Sequence, residues 1–122
     1  PLRLLIVDDD PEIALTLAEI LEPDGHAIDI AENGAEALER LAGQSFDLII
    51  SDLRMPELDG PGLYRELAAR HPDMLGRIFF VTGDTLGSGV RDFLEETGAP
   101  VVEKPFEPVD LRTAMARIAA AP

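Results

Sequence analysis

The sequence predicts an α/β domain in which parallel strands alternate with helices. Three observations lead to this fold class. Five short apolar runs alternate with five amphipathic stretches along the 122 residues. Most of these runs are apolar at consecutive positions, which is typical of strands buried on both faces of a parallel sheet. Pro, Gly, Asp and Asn residues separate the runs from the amphipathic stretches, and the length fits one compact domain.

The first two strand–helix units are delimited by turn signals. Asp10 followed by Pro11 predicts the N-cap and first residue of a helix, which a Pro-Asp-Gly turn at 23–25 ends. Asn33, followed by Gly, opens a second helix. The first strand is apolar except at one arginine, whereas the second alternates apolar and polar residues and is predicted to be a half-exposed edge strand. These strands cover residues 2–7 and 26–30, and the apolar helix positions are Ile13, Leu17, Ile20 and Leu21, then Ala37, Leu38 and Leu41.

The same unit repeats three more times, and the last helix begins at Pro108. Five repeats predict a doubly wound domain. Right-handed crossovers, together with the polar second strand, favour the sheet order 2-1-3-4-5. The later strands cover 46–51, 77–81 and 99–103, and the helices after them carry Leu63, Tyr64 and Leu67, then Val90, Phe93 and Leu94, then Leu111, Met115, Ile118 and Ala119.

Composition excludes several classes of function. The chain has 24 acidic and 10 basic side chains and a formal charge of −14, so contact with nucleic acid or an anionic membrane is not expected of this domain. It has no cysteine, which excludes disulfides and thiolate chemistry. No apolar run approaches the roughly 20 residues of a membrane span, and we expect a cytoplasmic location. Nine of the ten cations are arginine, and the only lysine is Lys104.

Polar residues follow four of the predicted strands where each strand ends. The carboxyl ends of parallel strands meet at one edge of the sheet, the edge where open α/β sheets bind ligands. Each residue has an ordinary explanation by itself, as a turn, cap or surface charge, and for Asp10 we prefer the cap. Together, carboxylates gathered without a cation would repel strongly. The residues that converge at this edge are Asp8, Asp9, Asp52, Thr82 and Lys104.

This set of side chains indicates a magnesium site for phosphoryl chemistry. Oxygen ligands with no histidine or thiol nearby favour Mg²⁺, with Mn²⁺ or Ca²⁺ as substitutes. Lys104 supplies a point charge and Thr82 a short donor for phosphate oxygens. Asp52 is then the natural nucleophile, because a carboxylate can accept a phosphoryl group as an aspartyl phosphate.

At these residues the chain resembles the receiver domain of two-component response regulators. The resemblance covers essentially the whole chain and implies the flavodoxin-like (βα)5 fold. From the run of alanines before the final proline we expect residues 1–119 to form the domain and 120–122 to start an exit linker. The Asp-x-x-Met-Pro-x-x-Asp-Gly segment is highly specific, whereas the Asp-Asp pair alone is weak. The matching segments are 4–11, 52–60, 81–83 and 103–106.

The resemblance assigns a role to each residue of the predicted site. In this family the residue at Asp52 accepts the phosphoryl group from a phosphohistidine of a histidine kinase or phosphotransfer domain. Asp9 would ligate Mg²⁺ directly, Asp8 would do so largely through water, and the backbone carbonyl of Arg54 would complete the ligands from the protein. Thr82 and Lys104 would hold the phosphoryl oxygens.

One position departs from the family pattern. Many receivers carry Tyr or Phe three residues before the lysine, where this chain has Val101. An aromatic readout at this position and the usual dimerisation switch are therefore not expected, and a monomer is favoured. The form of residues 98–106 resembles receivers attached to hybrid histidine kinases. Because the chain starts at Pro1 without methionine and leaves through alanine and proline, we expect a domain cut from such a kinase; a stand-alone response regulator is the alternative.

Two other functions remain open from the sequence. A small Mg-dependent phosphatase with an aspartyl nucleophile would need a substrate cap, for which 122 residues leave no room. A pseudo-receiver that binds partners without phosphorylation would not need the intact set of site residues. Whether the domain is an enzyme depends on its context, since a receiver catalyses only its own phosphorylation and dephosphorylation.

Overall fold

A computed structural model describes residues 2–53, 58–82, 88–103 and 106–120. Within these ranges five strands alternate with five α-helices in chain order. The strands are β1 (Arg3–Val7), β2 (Ala27–Ala31), β3 (Leu48–Asp52), β4 (Ile78–Thr82) and β5 (Val101–Glu103). The helices are α1 (Pro11–Leu21), α2 (Gly34–Gly43), α3 (Gly60–Arg70), α4 (Ser88–Thr97) and α5 (Pro108–Ala120).

All the strands are parallel, and their order in the sheet is β2-β1-β3-β4-β5. This confirms the predicted doubly wound topology, with β2 at one edge. The register pairs Val7 with Ser51, Asp52 with Val81, and Thr82 with Glu103. The last residue of each of these strands thus pairs with the last or next-to-last residue of the following strand in the sheet. The carboxyl ends of the strands therefore lie along one edge of the sheet, as the sequence predicted.

Helices cover both faces of the sheet and form two core layers. Side chains alternate between the faces of a strand, so Leu4 and Ile6 pack with α1 and α5, whereas Leu5 and Val7 pack with α2 and α3. All four of these side chains are fully buried. Burial on both faces explains why β1 is apolar at consecutive positions.

The strand boundaries differ by one or two residues from the predicted ones. Strand β5 begins at Val101 rather than at residue 99, because Pro100 has no N–H to donate to a ladder, although its carbonyl accepts from the Phe80 N–H. Phe46 lies before β3 but is still buried in the core. Short 3₁₀ helices follow α1 and α3, at Glu22–Asp24 and Pro72–Met74. The sequence did not predict them.

Three helices begin at side-chain caps. The carboxylate or amide oxygens of Asp10, Asn33 and Asp59 accept the N–H groups of Glu12, Glu36 and Gly62, respectively. These bonds satisfy N–H groups that have no partner within the first turn of a helix. The interpretation of Asp10 as a cap is confirmed. Across the described ranges, no helix has the length and apolarity that crossing a membrane requires.

Candidate functional site

Three carboxylates meet at the carboxyl edge of the sheet. Asp8, Asp9 and Asp52 each offer one oxygen, and these oxygens lie within 4.8 Å of one another. Asp8 is 2% exposed, Asp52 is half-buried and Asp9 is exposed to solvent. Burial within the cluster therefore decreases from Asp8 through Asp52 to Asp9.

The turn between β1 and α1 fixes the direction of Asp8. The backbone N–H of Asp8 donates to the Ala31 carbonyl at 3.0 Å, which continues the β1–β2 pairing by one residue. The Oδ1 atom of Asp8 accepts the N–H of Asp10 at 2.9 Å. One carboxylate oxygen of Asp8 thus shapes the turn, and Asp10 caps α1 instead of joining the cluster.

Asp52 is the last residue of β3, and hydrogen bonds hold the turn that follows it. Its Oδ1 accepts the N–H of Leu53 at 2.8 Å, and its backbone carbonyl accepts the hydroxyl of Ser51 at 2.8 Å. The N–H of Gly60 then donates to the Leu53 carbonyl at 3.0 Å. These bonds bring the start of α3 next to the end of β3 and hold the Asp52 carboxylate at the edge of the sheet.

Thr82 ends β4 beside Asp52, which confirms that the two residues belong to the same sheet edge. Strand pairing aligns Asp52 with Val81, so Thr82 lies one residue further along the neighbouring strand. Thr82 is only 4% exposed. Its partner on β5 is Glu103, the residue directly before Lys104. Lys104 itself and Arg54, whose carbonyl is a predicted ligand, lie outside the described residues.

The cluster has the electrostatics of a cation site. Carboxylates at this spacing repel one another, and the repulsion is strongest where burial lowers the local dielectric. All three side chains offer oxygen, the donor that Mg²⁺ and Ca²⁺ prefer. The residues present therefore fit a hard divalent cation.

Two glycines lie where another backbone segment passes closely, one of them beside Asp52, and neither was identified as functional from the sequence. A methyl group at Gly60 would lie 3.0 Å from the carbonyl oxygen of Asp52 and from Cα of Leu53. A methyl group at Gly34 would lie 2.6 Å from the Leu58 carbonyl, which accepts the Gly34 N–H. An Asp-Gly and an Asn-Gly dipeptide mark these positions, but the sequence does not show which backbone approaches them.

The chain matches known proteins over nearly its whole length. The family model of the response regulator receiver domain matches residues 4–116. The chain is 36% identical to the response regulator receiver protein CpdR of Brucella abortus, over 89% of each chain. It is 33% identical to the sensor kinase CckA of the same organism, over 90% of this chain and 12% of the kinase.

A solved structure has the same fold, and its sequence identity to this chain is similar to that of the two relatives above. The response regulator protein TrrA of Thermotoga maritima, crystallised in complex with Mg(2+)-BeF, superposes with a TM-score of 0.80 at 33% identity. The match covers 95% of this chain and 97% of that one. The family match, the five-stranded topology and the acidic cluster agree, and the chain belongs to the response regulator receiver domain family of two-component signalling.

Proposed function

We propose that Asp52 accepts a phosphoryl group from a phosphohistidine with the help of Mg²⁺. A carboxylate oxygen of Asp52 forms a bond to phosphorus while the phosphorus–nitrogen bond breaks, and the leaving imidazole nitrogen keeps the electron pair and takes a proton from solvent. The observation that carries this proposal is the cluster of Asp8, Asp9 and Asp52 beside Thr82 in a receiver domain. The product is an aspartyl phosphate.

Burial and hydrogen bonding support Asp52, rather than Asp8, as the acceptor. Asp8 is almost completely buried, and its Oδ1 holds the N–H of Asp10. Asp52 is half-buried at a strand end, so a phosphoryl donor can reach it from solvent. Asp9 is exposed and contributes its oxygen from the outer side of the cluster.

The remaining site residues divide between the metal and the phosphoryl group. Asp9 would bind Mg²⁺ directly, Asp8 would bind it largely through water, and the Arg54 carbonyl would add a ligand. Mg²⁺ usually takes one or two carboxylates together with waters and phosphate oxygens, and it would neutralise charge on the transferring group. Thr82 and Lys104 would hold the phosphoryl oxygens. The Mg(2+)-BeF complex of TrrA supports this metal for a related receiver, and Mn²⁺ or Ca²⁺ would substitute.

Phosphorylation by a small-molecule donor tests the proposal directly. Incubation with Mg²⁺ and phosphoramidate should give an adduct of about 80 Da, the mass of one phosphoryl group on a carboxylate. Asp52→Asn should abolish the adduct, and Asp10→Asn should retain it, since Asn also caps helices well. Turnover of added phosphoesters would favour a phosphatase instead, and absence of an adduct under all conditions would favour a pseudo-receiver.

We propose that the donor histidine belongs to a helical bundle that docks against α1. This helix begins two residues after Asp9, so a partner bound along it can reach Asp52. Leu15 is 55% exposed on α1, and it lies one turn from the exposed Glu12 and Glu19 on the same face. An apolar residue between two acids fits a partner that offers an apolar surface flanked by basic side chains.

A charge substitution on α1 tests this docking site. Leu15→Arg should slow phosphotransfer from a histidine partner but leave phosphorylation by phosphoramidate unchanged, since the small donor needs no docking. Ala42→Arg is the matched control, because it adds the same charge at an exposed position of α2. Equal slowing by both substitutions would contradict the docking of the partner on α1.

We propose that the domain, residues 1–119 followed by a linker from 120, works as a monomer in the cytoplasm within a hybrid sensor histidine kinase. The similarity to the sensor kinase CckA supports this context. The similarity to CpdR, of which this chain covers 89%, supports the alternative of a stand-alone response regulator. The reading frame around the coding sequence distinguishes them: kinase domains in the same frame support the hybrid, and a frame of only 122 codons contradicts it.

A further inference from the structure

Leu58, two residues before α3, packs between glycines of two helices. Its side chain is half-buried. A methyl group at Gly34, the first residue of α2, would lie 2.9 Å from Cβ and Cγ of Leu58. A methyl group at Gly62 of α3 would lie 2.7 Å from its Cδ1. Carbon atoms in contact stand about 3.5–4.0 Å apart, so the two helices leave room for Leu58 only because both positions lack a side chain. We call the gap between Gly34 and Gly62 the glycine notch.

The backbone of Leu58 is also held by α2. The N–H of Gly34 donates to the Leu58 carbonyl at 3.1 Å, and Gly34 is buried. The first N–H groups of a helix have no partner within the helix, and at Gly34 the segment between β3 and α3 supplies that partner. One residue of α2 therefore contacts both the side chain and the carbonyl of Leu58.

Leu53 anchors the other end of the same segment. It is 2% exposed, its N–H donates to Oδ1 of Asp52, and its carbonyl accepts the N–H of Gly60. Four residues, 54–57, separate Leu53 from Leu58, and they include Arg54, whose carbonyl is a proposed ligand of Mg²⁺. The segment with this proposed ligand thus begins and ends at a residue that is held by packing and hydrogen bonds.

Anchors at both ends favour binding of the ion for two physical reasons. Ordering a backbone costs conformational entropy, and a segment that is ordered beforehand loses less of it on binding. Mg²⁺ also demands nearly ideal octahedral geometry with ligand distances of about 2.0–2.1 Å. A shift of Leu58 by several tenths of an ångström, which the short distances at the glycine notch would force on adding a methyl group, is large on that scale.

We propose that Leu58 is a positioning residue for the magnesium site, and that the glycine notch acts on the ion through the segment that contains Arg54. The proposal rests on the proposed binding of Mg²⁺ at the acidic cluster. Coupling between two sites is reciprocal. The notch therefore raises the affinity for Mg²⁺, and bound Mg²⁺ strengthens the contact between Leu58 and Gly34.

The N–H of Gly34 reports this coupling in the native protein. Heteronuclear NMR measures its hydrogen exchange with and without Mg²⁺ at constant ionic strength. Saturating Mg²⁺ should slow this exchange by about 5-fold or more, the lower end of typical coupling between sites. The N–H of Glu36 is the control, because the Asn33 side chain holds it at 2.8 Å within the same helix start. Its exchange should change by less than about 2-fold.

Alanine substitution at the notch tests the coupling in the other direction. A titration with Mg²⁺, followed by the amide shifts of the folded protein, gives the dissociation constant of the ion. Gly34→Ala should raise it by about 5-fold or more, because the methyl group would lie 2.6 Å from the Leu58 carbonyl oxygen, which cannot rotate away. Gly43→Ala, at the last residue of the same helix, should leave it within about 2-fold, because a methyl group there meets nothing within 4 Å.

Gly62→Ala is a second variant, and its effect should be reversible. Its methyl group meets Cδ1 of Leu58, an atom that valine lacks. The dissociation constant should therefore rise in Gly62→Ala and fall again when Leu58→Val is added. With saturating Mg²⁺, Gly62→Ala should form the phosphoramidate adduct at the native rate, because a positioning role toward the ion acts only through its occupancy.

The outcomes distinguish this inference from the proposed function. Absence of Mg²⁺ binding in the native protein would overturn the inference together with the magnesium part of the proposed function. Binding that slows exchange equally at Gly34 and Glu36 would overturn the inference alone. A native dissociation constant in both Gly34→Ala and Gly62→Ala would do the same, as would a double variant that binds no better than Gly62→Ala. The exchange measurement uses the native protein, so it decides the question even if a variant fails to fold.

Discussion

Gly60 is the residue on which the turn after Asp52 most directly depends. Its backbone N–H donates to the Leu53 carbonyl and closes the turn, and its missing side chain lets the chain pass within contact distance of the end of β3. Two of the atoms that a methyl group would meet at 3.0 Å belong to the backbone, which cannot rotate away as a flexible side chain can. The position therefore tolerates only glycine without movement of the site.

We predict that Gly60→Ala lowers the free energy of unfolding by about 1–3 kcal/mol, the usual cost of overpacking a core, and slows formation of the Asp52 adduct. Chemical denaturation and the phosphoramidate assay measure the two effects. Gly43→Ala is the control, because a methyl group there meets nothing within 4 Å and alanine favours a helix by about 0.5–1 kcal/mol over glycine. A Gly60→Ala protein as stable as the native one would contradict the close approach.

Single residues could be predicted where their chemistry is local. Asp10 was identified as a cap because it precedes Pro11, and Asp8, Asp9 and Asp52 were predicted to converge because each follows a buried strand. The contacts of Gly34 and Gly60 could not be predicted in this way. They depend on how closely another backbone segment passes, Leu58 at Gly34 and Asp52 and Leu53 at Gly60, and neither spacing nor composition encodes that distance.

The cap of α1 connects helix stability to the site at the element scale. Asp10 holds the N–H of Glu12 through its side chain, while its own N–H is held by Asp8. Two consecutive hydrogen bonds thus connect the start of α1, through Asp10, to the buried Asp8 of the acidic cluster. A change in the cap acts on the helix first and on the direction of Asp8 second.

We predict that Asp10→Ala lowers the free energy of unfolding by about 1 kcal/mol, the typical cost of losing an N-cap, and that Asp10→Asn leaves it nearly unchanged. Thermal or denaturant unfolding of both proteins gives the comparison. Because the backbone N–H at position 10 remains in both, the bond to Asp8 persists, and we expect the adduct at Asp52 to form in each. Equal stability of the Ala and Asn proteins would contradict a capping role.

The elements themselves were predictable in number, type and order, but not in their ends. Apolar runs and turn residues located the strands and helices within a few residues. The ends depend on the backbone ladder, as at Pro100, which shortens β5, and on local turns such as the 3₁₀ segment of Pro72–Met74. The contacts among the rings of Tyr64, Phe80 and Phe93 could not be predicted either, because these rings come from three elements whose relative rotation is fixed only by packing.

At the scale of the whole molecule, the chain carries a formal charge of −14, so charge repulsion bears on the stability of the domain. Three of the described arginines pair with acids on the surface: Arg40 with Asp29 and Glu36, Arg70 with Glu66, and Arg112 with Asp24. Exposed pairs of this kind contribute little. The acidic cluster at the sheet edge is a place where a bound cation would offset repulsion in the folded state but not in the unfolded chain.

We therefore predict that Mg²⁺ raises the free energy of unfolding, by about 2.7 kcal/mol when its free concentration is 100 times its dissociation constant. Asp9→Asn should remove most of this gain, yet change the stability in EDTA by less than about 1 kcal/mol, because Asp9 is exposed and exposed charges interact weakly. Glu19→Gln removes the same charge from an exposed position of α1 and should leave the magnesium effect intact. Unfolding in EDTA and in Mg²⁺, at constant ionic strength, separates binding at the cluster from general screening: an equal loss in both variants would show that Mg²⁺ acts only on the overall charge.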